Sequence, residues 1–198
     1  MNDASAEIAA RYAARADRFE AVIAGAAADR WGSPSPCGDW RAADVVQHVL
    51  DMHGAMLLPL GRTLSEAPTV DADPLAAFRS ARRDLTEVLA DDTISQSDVP
   101  TPIGSMTLAD HIDQVASEDL VVHGWDLAKA TGQEHELDPE EVERMWPAAQ
   151  QMDERLRTPG AFGPGVVVFG PVVEVPDDAP VPHRLLGLLG RDPYWTAG

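Results

Sequence analysis

The segment EDLVVHGWDLAKATG, residues 118–132, sets Asp119, His123 and Asp126 among Leu120, Val121, Val122, Trp125 and Leu127. A helix with that apolar content is built to be buried. Three ionisable groups on it are costly unless they have partners. At about 100° per residue, positions i and i+4 lie about 40° apart, so Asp119 and His123 face the same way, one turn apart. That spacing lets two side chains reach one metal ion, as the histidines of HExxH do. On the pattern alone, a hydrogen-bonded structural pair is the commoner reading. Asp126, three residues past His123, either joins the stripe or anchors the helix to the following loop. Glu118 falls on a different side and is expected to be solvated.

A second source of ligands lies upstream. His48 sits amid Val45, Val46, Val49 and Met52, so it points at the core or at the edge of a site. His53 is about 140° around the same helix, so the two do not easily serve one centre. If the two helices are neighbours, His48, Asp119 and His123 converge as two imidazoles and one carboxylate. Such a set suits zinc, and also nickel, iron(II) or manganese, with positions left open for water or substrate. Read singly, His48 is as well explained as a satisfied core histidine.

Other residues invite chemistry less strongly. Cys37 precedes the helix of His48, where a helix N-terminus or a nearby cation would lower its pKa. A packed small side chain in a tight Pro-Cys-Gly turn is the preferred reading. Trp40 and Trp125 are expected to pack, His111 to lie at the surface, and Arg184, beside His183, to join a salt bridge.

The elements that must position these residues are helices. Ile8, Tyr12, Ala16, Phe19, Val22 and Ile23 recur at three- and four-residue steps and predict a helix over 4–28, with Ser5 or Asp3 as cap. WGSPSPCGDW, 31–40, is a loop. A second helix starts near Arg41, with Asp39 a candidate cap, and ends near Pro59–Gly61. A third covers 73–90, with Pro74 in its first turn. Residues 95–107 read as an irregular connection. A fourth helix runs from Thr107, its cap, to Ala130, with Gly132 beyond its end. A fifth covers 138–157, capped by Asp138. The tail, rich in Gly, Pro and Val, offers Val166–Phe169 and Val172–Val175 as short strands or extended chain, then a short helix over 181–190. The expectation is an all-α fold: a helical bundle over 1–158 and a loop-rich C-terminal extension over 159–198 packed on it.

Composition narrows the partners. The 198 residues carry 33 acidic and 15 basic side chains, a net charge of −18. Such a surface repels polyanions, which argues against nucleic acid and anionic membranes. Small molecules or other proteins remain, with a monomer or homodimer expected. A single cysteine allows no internal disulfide. The first twenty residues lack the apolar core of a signal peptide, and no run of about 18 apolar residues is present. A cytoplasmic protein is expected.

Several stretches together resemble one family. PSPCGDWRAADVVQHVLDMH, EDLVVHGWDLAKATGQ and the tail PGAFGPG…VEVPDDAPVPHRLLGLLGRDP are similar to the proteins related to mycothiol-dependent maleylpyruvate isomerase, in the wider DinB-like superfamily. The match is closest to its actinobacterial metal-binding branch. The resemblance implies a DinB-like four-helix bundle with a divalent metal at one end. It also implies ligands from one histidine on the second helix and an i,i+4 pair on a later one; here those positions are His48, Asp119 and His123. The position of Asp119 is histidine in many DinB-like members and glutamate in the isomerases, so the carboxylate here is one methylene shorter. The activities of the family use a low-molecular-weight thiol as nucleophile. A thiol with a pKa near 8.5 is mostly protonated at neutral pH; bound to zinc it is deprotonated. The resemblance therefore points to a zinc-dependent thiol transferase or isomerase using mycothiol. A non-catalytic metal- or ligand-binding module, and a re-purposed bundle with another reaction, remain as alternatives.

Overall fold

A computed structural model describes residues 3–101, 104–152, 154–160 and 168–197. The chain forms helices α1 (Asp3–Gly25), α2 (Ala42–Leu57), α3 (Pro74–Ala90), α4 (Asp92–Ser95), α5 (Leu108–Ile112), α6 (Glu118–Thr131), α7 (Pro139–Gln150) and α8 (Val181–Leu188). A hairpin of β1 (Asp98–Thr101) and β2 (Gly104–Thr107) is the one sheet among the described residues.

The periodic apolar positions close into a bundle. Ile8, Tyr12, Ala16, Phe19, Val22 and Ile23 of α1 are all buried. They meet Val45, Val46 and Val49 of α2, Phe78, Leu85 and Leu89 of α3, and Leu120 and Leu127 of α6 in one core. Helices α1 and α2 each pack against both α3 and α6, so α1 and α2 sit diagonally across a four-helix bundle. That diagonal order is what sets α2, with His48, directly against α6, with Asp119 and His123. The all-α, DinB-like architecture expected from the sequence is the observed one.

A second apolar cluster joins α6 to the later chain. Val122 and Trp125 pack with Val142, Met145 and Ala149 of α7 and with Leu185, Leu186 and Leu189 around α8. Two glycines permit this docking. A Cβ on Gly187 would come within 2.6 Å of the Val173 carbonyl oxygen, and Gly190 takes φ +79° with the Gly170 backbone 3.1 Å from where its Cβ would be. Only glycine adopts that conformation at no steric cost.

Several boundaries differ from expectation, each for a local reason. Residues 98–107 form an antiparallel hairpin rather than an irregular connection, with Val99 opposite Met106. Pro100 masked it, since proline inside a short run argues against a strand. Asp39 does not cap α2; the Arg41 N–H donates instead to Asp44 Oδ2 at 2.8 Å. Ser5 lies within the first turn of α1 and accepts from Gln96 Nε2 at 2.8 Å. Asp73, Thr107 and Asp138 do cap α3, α5 and α7. Helix α7 stops at Gln150 rather than 157, shortly after the internal Pro147, which has no N–H to continue the ladder. Residues 172–175 are extended without strand pairing; of the candidate strand 166–169, residues 166 and 167 lie outside the described residues and 168–169 form a bend.

The fourth bundle helix is interrupted. Between α5 and α6, residues Asp113–Ser117 form a π-helical turn. One residue inserted into a helix rotates everything after it by about 100°. The interruption therefore sets the angular position of Asp119 and His123 independently of the turn that carries His111. No helix among the described residues is long and apolar enough to cross a membrane.

Candidate metal centre

His48, Asp119 and His123 meet where α2 packs on α6. His48 Nε2 lies 3.1 Å from Asp119 Oδ2, and His123 Nε2 lies 3.4 Å from Asp119 Oδ1. The two imidazole rings meet edge-on with centroids 4.7 Å apart. One ligand atom from each residue falls within 4.8 Å of the other two. Zinc bonds of about 2.0–2.2 Å place tetrahedral ligand atoms about 3.4 Å apart, so little movement separates these atoms from a coordination sphere.

Hydrogen bonding leaves this cluster incomplete. Asp119 Oδ2 is buried and accepts no hydrogen bond from any described residue, although His48 Nε2 is close. A buried carboxylate oxygen without a donor is costly. His48 Nε2 approaches this oxygen without satisfying it, while His123 Nε2 approaches Oδ1. A cation between the three groups would satisfy all of them at once. His53 behaves in the opposite way: its Nδ1–H donates to the Val49 carbonyl at 2.8 Å and its Nε2 accepts from the Tyr12 hydroxyl at 3.0 Å. It is a satisfied core histidine, and burial pulls its pKa down to about 4.

The far side of His123 is anchored. Its Nδ1 lies 2.9 Å from Asp126 Oδ2; an ionised carboxylate only accepts, so Nδ1 carries the proton. Nε2 then faces Asp119 and His48, and a bound cation would displace any proton it carries, as in a carboxylate–histidine–metal triad. Asp126, fully buried, is in turn held by Arg191, whose Nη2 donates to Oδ2 at 2.9 Å. Asp126 is thus an anchor to the C-terminal chain, as one of the two sequence readings had it.

The electrostatics follow from these contacts. Burial alone raises the Asp119 carboxyl, but the imidazoles of His123 and His48 outweigh it and hold it well below the usual carboxylate range. Burial lowers His123, and the carboxylates of Asp119 and Asp126 outweigh that and push it up to about 9. Asp126 is likewise held low, burial being overcome first by Arg191 and then by His123.

Trp40 does more than fill space. Its ring lies 4.8 Å from that of His48 and is stacked 5.7 Å from that of His123, so it braces both. Cys37 borders the same region: with His123 and Asp126 it forms a second set of close ligand atoms. That set already contains a cation, because Arg191 Nη2 lies 3.5 Å from Cys37 Sγ as well as on Asp126. Burial pushes the Cys37 thiol up to about 11 despite the arginine. A half-buried, protonated thiol agrees with the packed-turn reading and not with a nucleophile.

Other expectations change. Glu118 is half-buried rather than solvated, and burial raises its carboxyl despite Arg15 and Arg144. His111 is half-buried rather than at the surface. Arg184 lies 5.0 Å over the Trp146 ring, with no salt bridge to a carboxylate among the described residues. Trp125 is packed in the second apolar cluster, as expected. Arg191 was not singled out from the sequence; its side chain reaches Asp126 from 65 positions further along the chain, and no local spacing signals that.

Comparison with known proteins identifies the family. The chain is 30% identical to uncharacterized proteins from two strains of Mycobacterium tuberculosis over 179 residues, 88% of this chain and 92% of theirs. No solved structure matches it at the same stringency. Residues 12–128, which contain His48, Asp119 and His123, match the family model of the mycothiol maleylpyruvate isomerase N-terminal domain. The chain belongs to that family.

Proposed function

We propose that the protein is a metal-dependent enzyme that activates a low-molecular-weight thiol, mycothiol or a close analogue, for transfer to or isomerisation of a small electrophilic substrate. His48, Asp119 and His123 are the ligands in this reading, and zinc is the metal best suited to two imidazoles and one carboxylate. The observation that carries it is the Asp119 carboxylate: its Oδ2 is buried without a hydrogen bond and lies 3.1 Å from His48 Nε2, and its Oδ1 lies 3.4 Å from His123 Nε2. The family membership supports the thiol.

A divalent ion at this position supplies Lewis acidity that lowers the pKa of a thiol placed beside it. The chain's own residues prepare the site. Asp126 accepts a hydrogen bond from the Nδ1–H of His123, which fixes the ring and leaves Nε2 directed inward. Trp40 lies against both imidazoles and keeps water from that side of the rings. His48 and Asp119, partly exposed on their side chains at 31% and 24%, leave the opposite side open to a small molecule.

The test is turnover. Zinc-loaded protein is incubated with mycothiol and a panel of small electrophiles that includes maleylpyruvate, and thiol consumption or isomerisation is followed. The proposal expects activity that requires the metal and is lost in His48→Ala, Asp119→Ala and His123→Ala. A stoichiometrically loaded protein that turns over nothing in the panel would favour a binding module instead.

A further inference from the structure

Arg191 lies beyond α8, yet its guanidinium is buried beside the His48–Asp119–His123 cluster. The fold goes to some length to place it. Gly190 takes a left-handed conformation that turns the chain back, closely packed on Gly170. The Arg191 N–H donates to the Leu186 carbonyl at 2.8 Å. Nη1 donates to the Leu189 carbonyl at 2.7 Å. Nη2 and Nε both point at Asp126, at 2.9 and 3.3 Å from Oδ2. Asp126 is therefore clamped between a guanidinium on one side and His123 on the other. A planar fork with several fixed donors restrains a carboxylate in a way that a point charge does not.

We propose that Arg191 is a positioning residue for the metal centre: by clamping Asp126 it keeps the Nδ1–H of His123 on that carboxylate and Nε2 directed at Asp119 and His48. The C-terminal segment thereby sets the affinity of a site whose three ligands all lie within residues 48–123. Without the guanidinium, Asp126 keeps a single polar partner and is free to rotate, and the ring of His123 loses its fixed orientation. The affinity half of this inference rests on the metal reading above; the orientation half concerns the protein alone.

The experiment compares the full chain with Arg191→Gln and Arg191→Lys. Zinc affinity is measured by competition with a chromophoric chelator. The Nδ1 proton of His123 is followed by NMR in the metal-free protein. The Gln variant is expected to bind zinc 10–100-fold more weakly, the usual cost of losing a partner one step behind a ligand, and to lose the Nδ1 proton signal to solvent exchange. The Lys variant, with charge but no fork, is expected to recover only part of both. A folded Gln variant with wild-type affinity and an intact Nδ1 signal would overturn the inference, even if its melting temperature fell. If the unaltered protein binds no zinc, the metal reading fails, and the Nδ1 signal alone decides the orientation claim: its persistence in the Gln variant refutes that claim, its loss supports it. Should the Gln variant not fold, the same comparisons are made on the Lys variant.

Discussion

Two buried ionic clusters flank the π-turn, and they are built differently. On the side facing α1 and α7, Arg15 pairs with Glu141 through Nε at 2.8 Å and through a second, shorter contact, and its Nη1 donates to Ser117 Oγ at 2.8 Å. Arg11 grips Asp113 through two bonds of 3.0 and 2.7 Å. On the side facing α2, two histidines surround Asp119, and one of its oxygens accepts nothing. The first cluster balances charge with charge and donor with acceptor, as a structural ion network must. The second brings electron-pair donors together. The difference separates polar residues that satisfy one another from a carboxylate oxygen left without a donor, though Asp113 and Asp119 belong to one interrupted helix.

The largest expected effect breaks the first cluster. Arg15→Met leaves Glu141 and Asp113 buried with a partner removed, which costs about 3–5 kcal/mol, read as a loss in urea-unfolding free energy. Zinc affinity of the folded fraction stays at the wild-type value. A variant that keeps its stability but loses zinc would mean that the roles of the two clusters are reversed.

A smaller effect sharpens the contrast between His53 and the site histidines. The folded pKa of His53, about 4, lies below its ordinary value of 6.5. Between those values the unfolded chain takes up a proton that the folded one refuses. Its contribution is therefore full above pH 6.5 and is lost as the pH falls toward 4, on the order of 3 kcal/mol in all. The shift of His123 acts in the other direction and above pH 6.5, outside that window. Urea unfolding at pH 7 and pH 4.5 measures the loss, and His53→Asn is expected to flatten it. An equal slope in that variant would place the titration elsewhere.

The smallest effect concerns Cys37. Because Arg191 already fills the space between Cys37 and Asp126, Cys37→Ser is expected to change zinc affinity by less than about threefold, well short of the cost of losing a residue one step behind a ligand. A large loss would move the cation to the Cys37–His123–Asp126 side.

Much of the bundle and the heart of the site were legible in the sequence because both rest on helical periodicity. The stripe from Ile8 to Ile23 is buried as read, and the i,i+4 placement of Asp119 and His123 brings both to one point with His48. What was not legible depends on contacts between distant segments or on a changed helical register. The Arg191–Asp126 pair spans 65 residues. Glu118 is half-buried and feels the charges of Arg15 on α1 and Arg144 on α7. The π-turn at 113–117 has no compositional mark, and the hairpin at 98–107 hides behind Pro100.

The central claim is that His48, Asp119 and His123 hold one divalent ion. Elemental analysis of the purified protein, repeated on His123→Ala after confirming equal helicity by circular dichroism, tests it most directly. The account predicts one metal per chain in the first and none in the second. A protein that takes up no metal at saturating zinc, or a variant that retains it, would contradict the claim.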